Sequence, residues 1–364
     1  MTRGTGGTTR AVWALVLLAA VGTLTLAPTL ARALARTLDI YFIDVEGGQS
    51  TLIVTPSGES LLIDTGFPGD GTFASKPGNP AQARDPQRIL AAARDAGITR
   101  IDYLLLTHFH ADHDGGVVEL AQLLPIGTFI DHAPPFAAAE VGVPGTLAMY
   151  DAYAALRATG RHLQPAVGDR LPLKGVDVTV VASEGKTLRT PLAPAGAANS
   201  ACVGTGVPAQ DSIENTRSTG VRLSYGQFRF LDVGDLSGAP LFALTCPRNL
   251  VGEADVYLVA HHGGSDASDS ATYRAVNPRV AIVNNGARKG GAAETLATLA
   301  RFASIETWQL HRSEAPGAEN VADARLANRD ETTHAWIKLS AQDDGSFTVT
   351  NGRTGAVTRY PRRK

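Results

Sequence analysis

The run Thr107-His108-Phe109-His110-Ala111-Asp112-His113-Asp114-Gly115-Gly116 constrains this chain more than any other stretch. Three imidazoles and two carboxylates fall within the seven residues from His108 to Asp114. The apolar run Ile101-Asp102-Tyr103-Leu104-Leu105-Leu106 leads into them, which reads as a buried strand delivering a polar loop. Imidazole and carboxylate together suit zinc or another first-row divalent cation. The same logic recurs downstream. An apolar strand at 228–233 ends in Gly234-Asp235-Leu236, and one at 255–260 ends in His261-His262-Gly263-Gly264. A third, at 279–283, ends in the polar run Asn284-Asn285-Gly286-Ala287-Arg288-Lys289.

The spacing H-x-H-x-D-H resembles the signature of the metallo-β-lactamase superfamily of metal-dependent hydrolases. The resemblance spans roughly residues 38–303 and implies an α/β (α+β) fold, a four-layer αββα sandwich with its site on loops that leave strands. It also implies two divalent metal ions, zinc or manganese. Carried over, His108 and His110 hold one ion and Asp112 and His113 the other, with Asp235 as the bridging carboxylate of a Gly-Asp pair. Asp232 is its competitor, placed inside the strand. One of His261 and His262 completes the second site. The resemblance favours His262 as ligand, with His261 facing substrate or leaving group, and the reverse assignment stays open. Asp64, at the end of an apolar strand beside Gly66, takes the place of a carboxylate that props the ligand loop through a hydrogen bond. The chain departs from the β-lactamase pattern in one respect. No His occurs between His162 and His261, so the third imidazole of the first site is missing. Asn215 to Ser218 stand there instead, which resembles the competence-protein (ComEC-like) and phosphodiesterase-like branches.

The 364 residues, 44% of them hydrophobic, suffice for one large catalytic domain, expected over residues 38–350. A formal charge of −2 provides no global basic field for nucleic acid. Residues 1–33 have the layout of a secretory signal: Arg3 and Arg10, then an uncharged apolar run at 11–27, then small residues. That run is also long enough for an uncleaved anchor. Either way the expected location is periplasmic or extracellular, with membrane contact only through that segment. Cys202 and Cys246 suit a single disulfide there, with two free buried thiols as the alternative.

Along the chain, short strands are expected at 39–45, 50–55 and 60–64. A helix follows with Asp85 as its N-cap, Pro86 at its first position and Gly97 as its stop. Further helices are expected at 117–124, 146–159, 270–276 and 293–302, and a hairpin at 221–225 and 228–233. Residues 185–207 read as a surface excursion, and 351–364 as a basic tail frayed from 359 onward. His132 reads as a surface or capping residue, His162 as solvated, and His311 as no ligand. Asn215, Asn285, Arg288 and Lys289 are candidates for binding an anionic substrate group.

The expected chemistry is hydrolysis by a hydroxide generated at the metals, with Asp112 holding the water and His261 protonating the leaving group. A small or envelope-derived phosphodiester is the expected substrate. A β-lactamase or lactonase acting on a cyclic amide or ester is the enzymatic alternative. A non-catalytic exported binding module and an iron oxidoreductase are the readings from other classes.

Overall fold

The computed structural model describes residues 1, 4, 37–204, 206–207 and 212–363. The expected leader, residues 1–33, therefore lies outside the described residues save for 1 and 4. Among the described residues no helix is long and apolar enough to cross a membrane. All that follows concerns the described residues of the unit Ala35–Lys364.

Two nine-stranded sheets form the centre. The first runs, in spatial order, Val357–Tyr360, Phe347–Asn351, Ile337–Ala341, Leu38–Phe42, Thr51–Val54, Ser60–Ile63, Ile101–Leu105, Ile126–Ile130 and Arg161–Leu163. The second runs Leu326–Asn328, Glu306–His311, Val280–Val283, Val256–Leu258, Phe228–Asp232, Gly220–Tyr225, Asp177–Ser183 and Arg170–Leu171, with Lys186–Thr187 paired to Asp177–Ser183. Most of these strands lack polar alternation because both of their faces are covered. Ile40 and Phe42 join Ile63, Leu223, Phe230 and Ile282 in the core between the sheets. Tyr41 and Ile43 point the other way, into a cluster with Ile89, Leu120 and Tyr153 from the helices. On the far side of the second sheet, Ala281 and Val283 meet Leu244, Val276 and Leu296. The period of two along each strand thus feeds two cores at once, and the layers are α, β, β, α.

Strand direction explains where the chemistry gathers. Ser60–Ile63, Ile101–Leu105 and Ile126–Ile130 are parallel neighbours. So are Phe228–Asp232, Val256–Leu258 and Val280–Val283 in the other sheet. Parallel strands send all their C-terminal ends to one edge, and ligands in such sheets bind beyond those ends. Asp64, Thr107 to His113, Asp235, His261, His262 and Lys289 all follow such ends.

Three local expectations are corrected. The helix Arg84–Asp95 starts one turn-position early, with Ala83 at its N-cap and no side-chain cap. Asp85 lies inside the first turn, where its carboxylate accepts from the Phe67 backbone N–H at 2.7 Å and pairs with Arg84 at 2.6 Å. It ties the 67–84 loop to the helix rather than capping it. Among the described residues, 357–363 are tied to the fold rather than frayed. Val357–Tyr360 adds an edge strand to Phe347–Asn351, and Arg363 pairs with Glu253 and Asp255. The excursion at 185–207 carries a short strand and is pinned by the Cys202–Cys246 disulfide, whose Cα atoms are 5.7 Å apart. Closing that loop, with its sequence separation of 44, stabilises the fold by about 4 kcal/mol in the chain-entropy model. A Cys202→Ser/Cys246→Ser double variant is expected to lose about 2–4 kcal/mol in urea unfolding, and a reductant is expected to reproduce that loss in the native chain.

Candidate metal centre

Four side chains from three segments converge. Asp112, His113, Asp235 and His262 each offer a ligand atom, and all four atoms lie within 4.8 Å of one another. His113 Nε2 is 3.3 Å from Asp112 Oδ2 and 3.1 Å from Asp235 Oδ2. His262 Nε2 is 3.2 Å from each of the same two oxygens and 3.3 Å from His113 Nε2. Asp112, His113, Asp235 and His262 are at most 2% exposed.

Proton accounting shows what such a cluster requires. His113 Nδ1 lies 2.8 Å from Asp64 Oδ2 and donates to it, so Nε2 presents a lone pair. That lone pair meets two carboxylate oxygens and a second imidazole nitrogen in a buried site. Burial disfavours a charged His113, yet Asp235, Asp112 and Asp64 outweigh it and hold its pKa well above the ordinary value. Burial likewise opposes ionised Asp112 and Asp235, but Lys289 and His113 hold the first, and His113 and His262 the second, well below the carboxylate range. In the absence of a metal, a proton on His113 answers these carboxylates; a bound cation would take that proton's place and leave Nε2 free as a ligand. The separations of 3.1–3.3 Å also match the edges of a tetrahedron of donors, about 3.3 Å for ligands roughly 2.0 Å from a zinc-sized ion. The residues present therefore fit a divalent metal.

His108 and His110 flank this group. His108 Nε2 is 3.0 Å from His110 Nδ1 and 3.9 Å from Asp235 Oδ2. Burial, then the neighbouring imidazoles, push the His108 pKa well below its ordinary value, which leaves the ring neutral as a ligand must be. Asp235 thus borders both halves. Asp232 does not compete. It is spent on Gln49 Nε2 and the Gly234 N–H, and burial lifts its pKa to about 7.

The backbone around the cluster is specialised. Asp64 has φ of 60°, and its carboxylate accepts from Thr107 N, Thr107 Oγ1 and His113 Nδ1 within 2.8 Å. One carboxylate therefore orients both the strand end and an imidazole. The 46–49 loop cradles Asp112 from the other side, with Gln49 N donating to Asp112 O at 3.0 Å. A Cβ on Gly48 would lie 2.4 Å from that oxygen, so only glycine permits the approach. His261 and His262 both sit in the left-handed region, at φ 49° and 54°. An extended chain would have sent their rings to opposite faces; this strained turn aims both at the centre. His262 enters the cluster, while His261 Nε2 stops 3.7 Å from Asp235 Oδ2. Asp266 holds His261 Nδ1 at 2.9 Å.

The substrate candidates separate. Lys289 Nζ reaches Asp112 Oδ2 at 2.5 Å and Gly47 O at 2.8 Å. Asn215 is buried, with Nδ2 3.5 Å from His261 Nε2. Asn285 is 0% exposed and donates to His311 O and Gly286 O, so it is a structural amide rather than a substrate contact. Arg288 turns outward to Glu314 and Glu331 on the surface, away from the site. His132 is not a surface residue. It is fully buried, 3.1 Å from Glu214 Oε1, and packs on Phe109. Glu214 also accepts from Phe109 N, so it steadies the ligand loop from behind. Glu214 and Asp266 escaped the sequence reading. Both are acids in loops without metal spacing, though Asp266 follows the His-His-Gly-Gly turn closely.

Asp44, Glu46 and His311 form a second trio of donors within 4.8 Å. Arg88 already pairs with both of its carboxylates, so the trio is an ion-pair network and not a cation site. Burial opposes charge on His311, but Asp44 and Glu46 hold its pKa up at about 9.

Residues 43–191 match the family model described as metallo-beta-lactamase superfamily. The chain carries a metallo-β-lactamase superfamily domain. The matched stretch contains His108 to His113 and ends before Asp235 and His262, which the fold brings to Asp112 and His113. Two curated relatives share part of it. An atrochrysone carboxyl ACP thioesterase from Aspergillus terreus is 34% identical over 100 residues, covering 28% of this chain and 26% of that protein. A UPF0173 metal-dependent hydrolase from Staphylococcus saprophyticus is 28% identical over 95 residues, covering 26% of this chain and 30% of that protein. The matches thus span between a quarter and a third of those relatives. Among solved structures, the metallo-β-lactamase fold protein YhfI from Bacillus subtilis aligns over 74% of this chain and 95% of its own, with a TM-score of 0.42 and 10% identity.

Two measurements check this geometry. Asp64→Asn, which keeps a residue tolerant of positive φ, is expected to weaken zinc binding by about 10- to 100-fold in competition titrations, with the fold intact. The raised pKa of His311 gives stability that is present below about pH 6.5 and lost as pH rises through about 9. His311→Gln is therefore expected to cost on the order of 3 kcal/mol at pH 6 and little at pH 10, read by denaturant unfolding.

Proposed function

We propose that this metallo-β-lactamase superfamily domain is an exported, metal-dependent hydrolase of phosphodiester bonds. One observation carries the hydrolytic reading: the buried ligand atoms of Asp112, His113, Asp235 and His262 lie within 4.8 Å of one another, and His261 on its Asp266 support faces the same point. His108, His110, Asp112, His113, Asp235 and His262 would hold two divalent cations, with zinc favoured by the imidazole-carboxylate set. Bound there, the ions supply Lewis acidity and lower the pKa of water toward neutrality.

The protein's own residues do the rest. Asp112 orients the attacking water through the carboxylate edge it shares with Lys289. His261 delivers a proton to the leaving oxygen from Nε2, because Asp266 holds Nδ1 and fixes the ring. Burial opposes the imidazolium, but Asp235 and Asp266 keep its pKa at about 9, the protonated state an acid needs. Lys289 offers an ammonium beside the cluster, a partner for a non-bridging phosphate oxygen. That charge supports the phosphodiester. A carboxylic ester or thioester is the second reading, favoured by the Aspergillus thioesterase relative. The Cys202–Cys246 disulfide supports export, since such bonds persist in oxidising compartments.

Rates on bis-p-nitrophenyl phosphate, p-nitrophenyl esters, a thioester, nitrocefin and a simple lactone test the bond class. Hydrolysis of the phosphodiester is expected to dominate, to vanish on chelation and to return with zinc. His261→Gln is expected to lower kcat by about 10²- to 10⁴-fold with metal content unchanged. A metal-loaded chain that is inert across the panel would falsify the reading.

A further inference from the structure

A cavity of about 690 Å³ opens beside the metal centre, within the range of small-molecule sites. The 67–84 loop and the segment 142–152 wall it, and Ala111 forms part of its lining. Ala111 stands between His110 and Asp112, so the cavity borders the ligand loop itself. Its lining is apolar: Phe73, Val143, Pro144, Ala148 and Met149 are prominent, and among the described residues Lys76 is its one charged member. A second link runs through Phe73. Its ring packs edge-on against Phe67, with centroids 4.9 Å apart, and lies 5.9 Å from Lys289 Nζ, the same ammonium that touches Asp112. Yet Phe73 remains 54% exposed. An apolar wall left open beside a charged reaction centre is a cost in water unless something apolar covers it.

We propose that this cavity takes an alkyl or acyl chain of the substrate, so that the enzyme acts on an amphiphilic ester whose polar head lies between the metals and Lys289. The inference rests on the hydrolase reading above for the head group, and adds the tail. The positions divide the labour: Lys289 and the donor cluster fix the head, Phe73 and Ala111 mark the junction, and Val143, Ala148 and Met149 receive the chain. The head is charged and solvated at one end of the site, and the tail leaves water at the other.

Binding tests this without turnover. Zinc-loaded full-length protein is titrated calorimetrically with methylphosphonate and with n-octylphosphonate, neither of which is hydrolysed. Each methylene that enters the cavity strengthens binding by about fourfold, so the octyl probe is expected to bind at least about a hundredfold more tightly. Ala148→Trp, at an exposed helix position on the cavity wall, is expected to remove most of that preference and leave methylphosphonate affinity unchanged. Should that variant fail to fold, Met149→Gln is expected to reduce the preference in the same direction. Equal affinity of the two probes, undetectable binding of both, or a preference untouched by folded cavity variants overturns the proposal. Failure of the hydrolase reading shows separately, as an inert metal-loaded enzyme that still prefers the octyl probe.

Discussion

Two carboxylates and two imidazoles packed together inside a protein need positive charge among them, and that need organises this molecule. Asp112, His113, Asp235 and His262 come from loops after strands of both sheets. Three of them are held by groups of their own: Asp64 on His113, Lys289 and the Gln49 loop on Asp112, and a left-handed turn beneath His262. Without a positive charge at their centre, this geometry would cost several kcal/mol of unmet desolvation. The sandwich supplies the rigidity that holds the donors together, and a cation supplies the reason for them to stay.

The two halves of the centre are unequal. His108 lies 3.9 Å from Asp235 with His110 beside it, and Asn215 is buried next to His261. The second half has a full quartet. The His261–Asp266 pair lies beside Asp235. The strand ends thus gather one full quartet of donors, two further imidazoles and an imidazole held by a carboxylate.

Much of this was legible in the sequence because the donor residues follow apolar runs with little ambiguity of register. Ile101 to Leu106 ends in three imidazoles, and Val256–Leu258 leads to two more. Gly234 before Asp235 signalled the turn that frees the carboxylate from its strand. Asp64 and the helix at Ser270–Val276 were readable for the same reason, local signals that agreed with the fold, whereas the Cys202–Cys246 pairing stayed open because its partners are 44 residues apart. The misses share a cause. Asp85, Asn285, Arg288 and His132 have local readings as cap, contact or surface, and distant partners decide otherwise: Phe67, His311, Glu314 and Glu214. Glu214 and Asp266 act on imidazoles they follow at irregular spacing, so no period points to them. Arg359 to Arg363 looked like a loose basic tail because edge pairing with Phe347–Asn351 leaves no mark in composition.

The central claim is that these donors exist to hold cations. Native mass spectrometry of protein desalted and then incubated with zinc counts the ions on each folded chain. The account predicts two zinc ions on the native chain and fewer on an Asp235→Asn chain of unchanged fold. A folded native chain that carries none would contradict it.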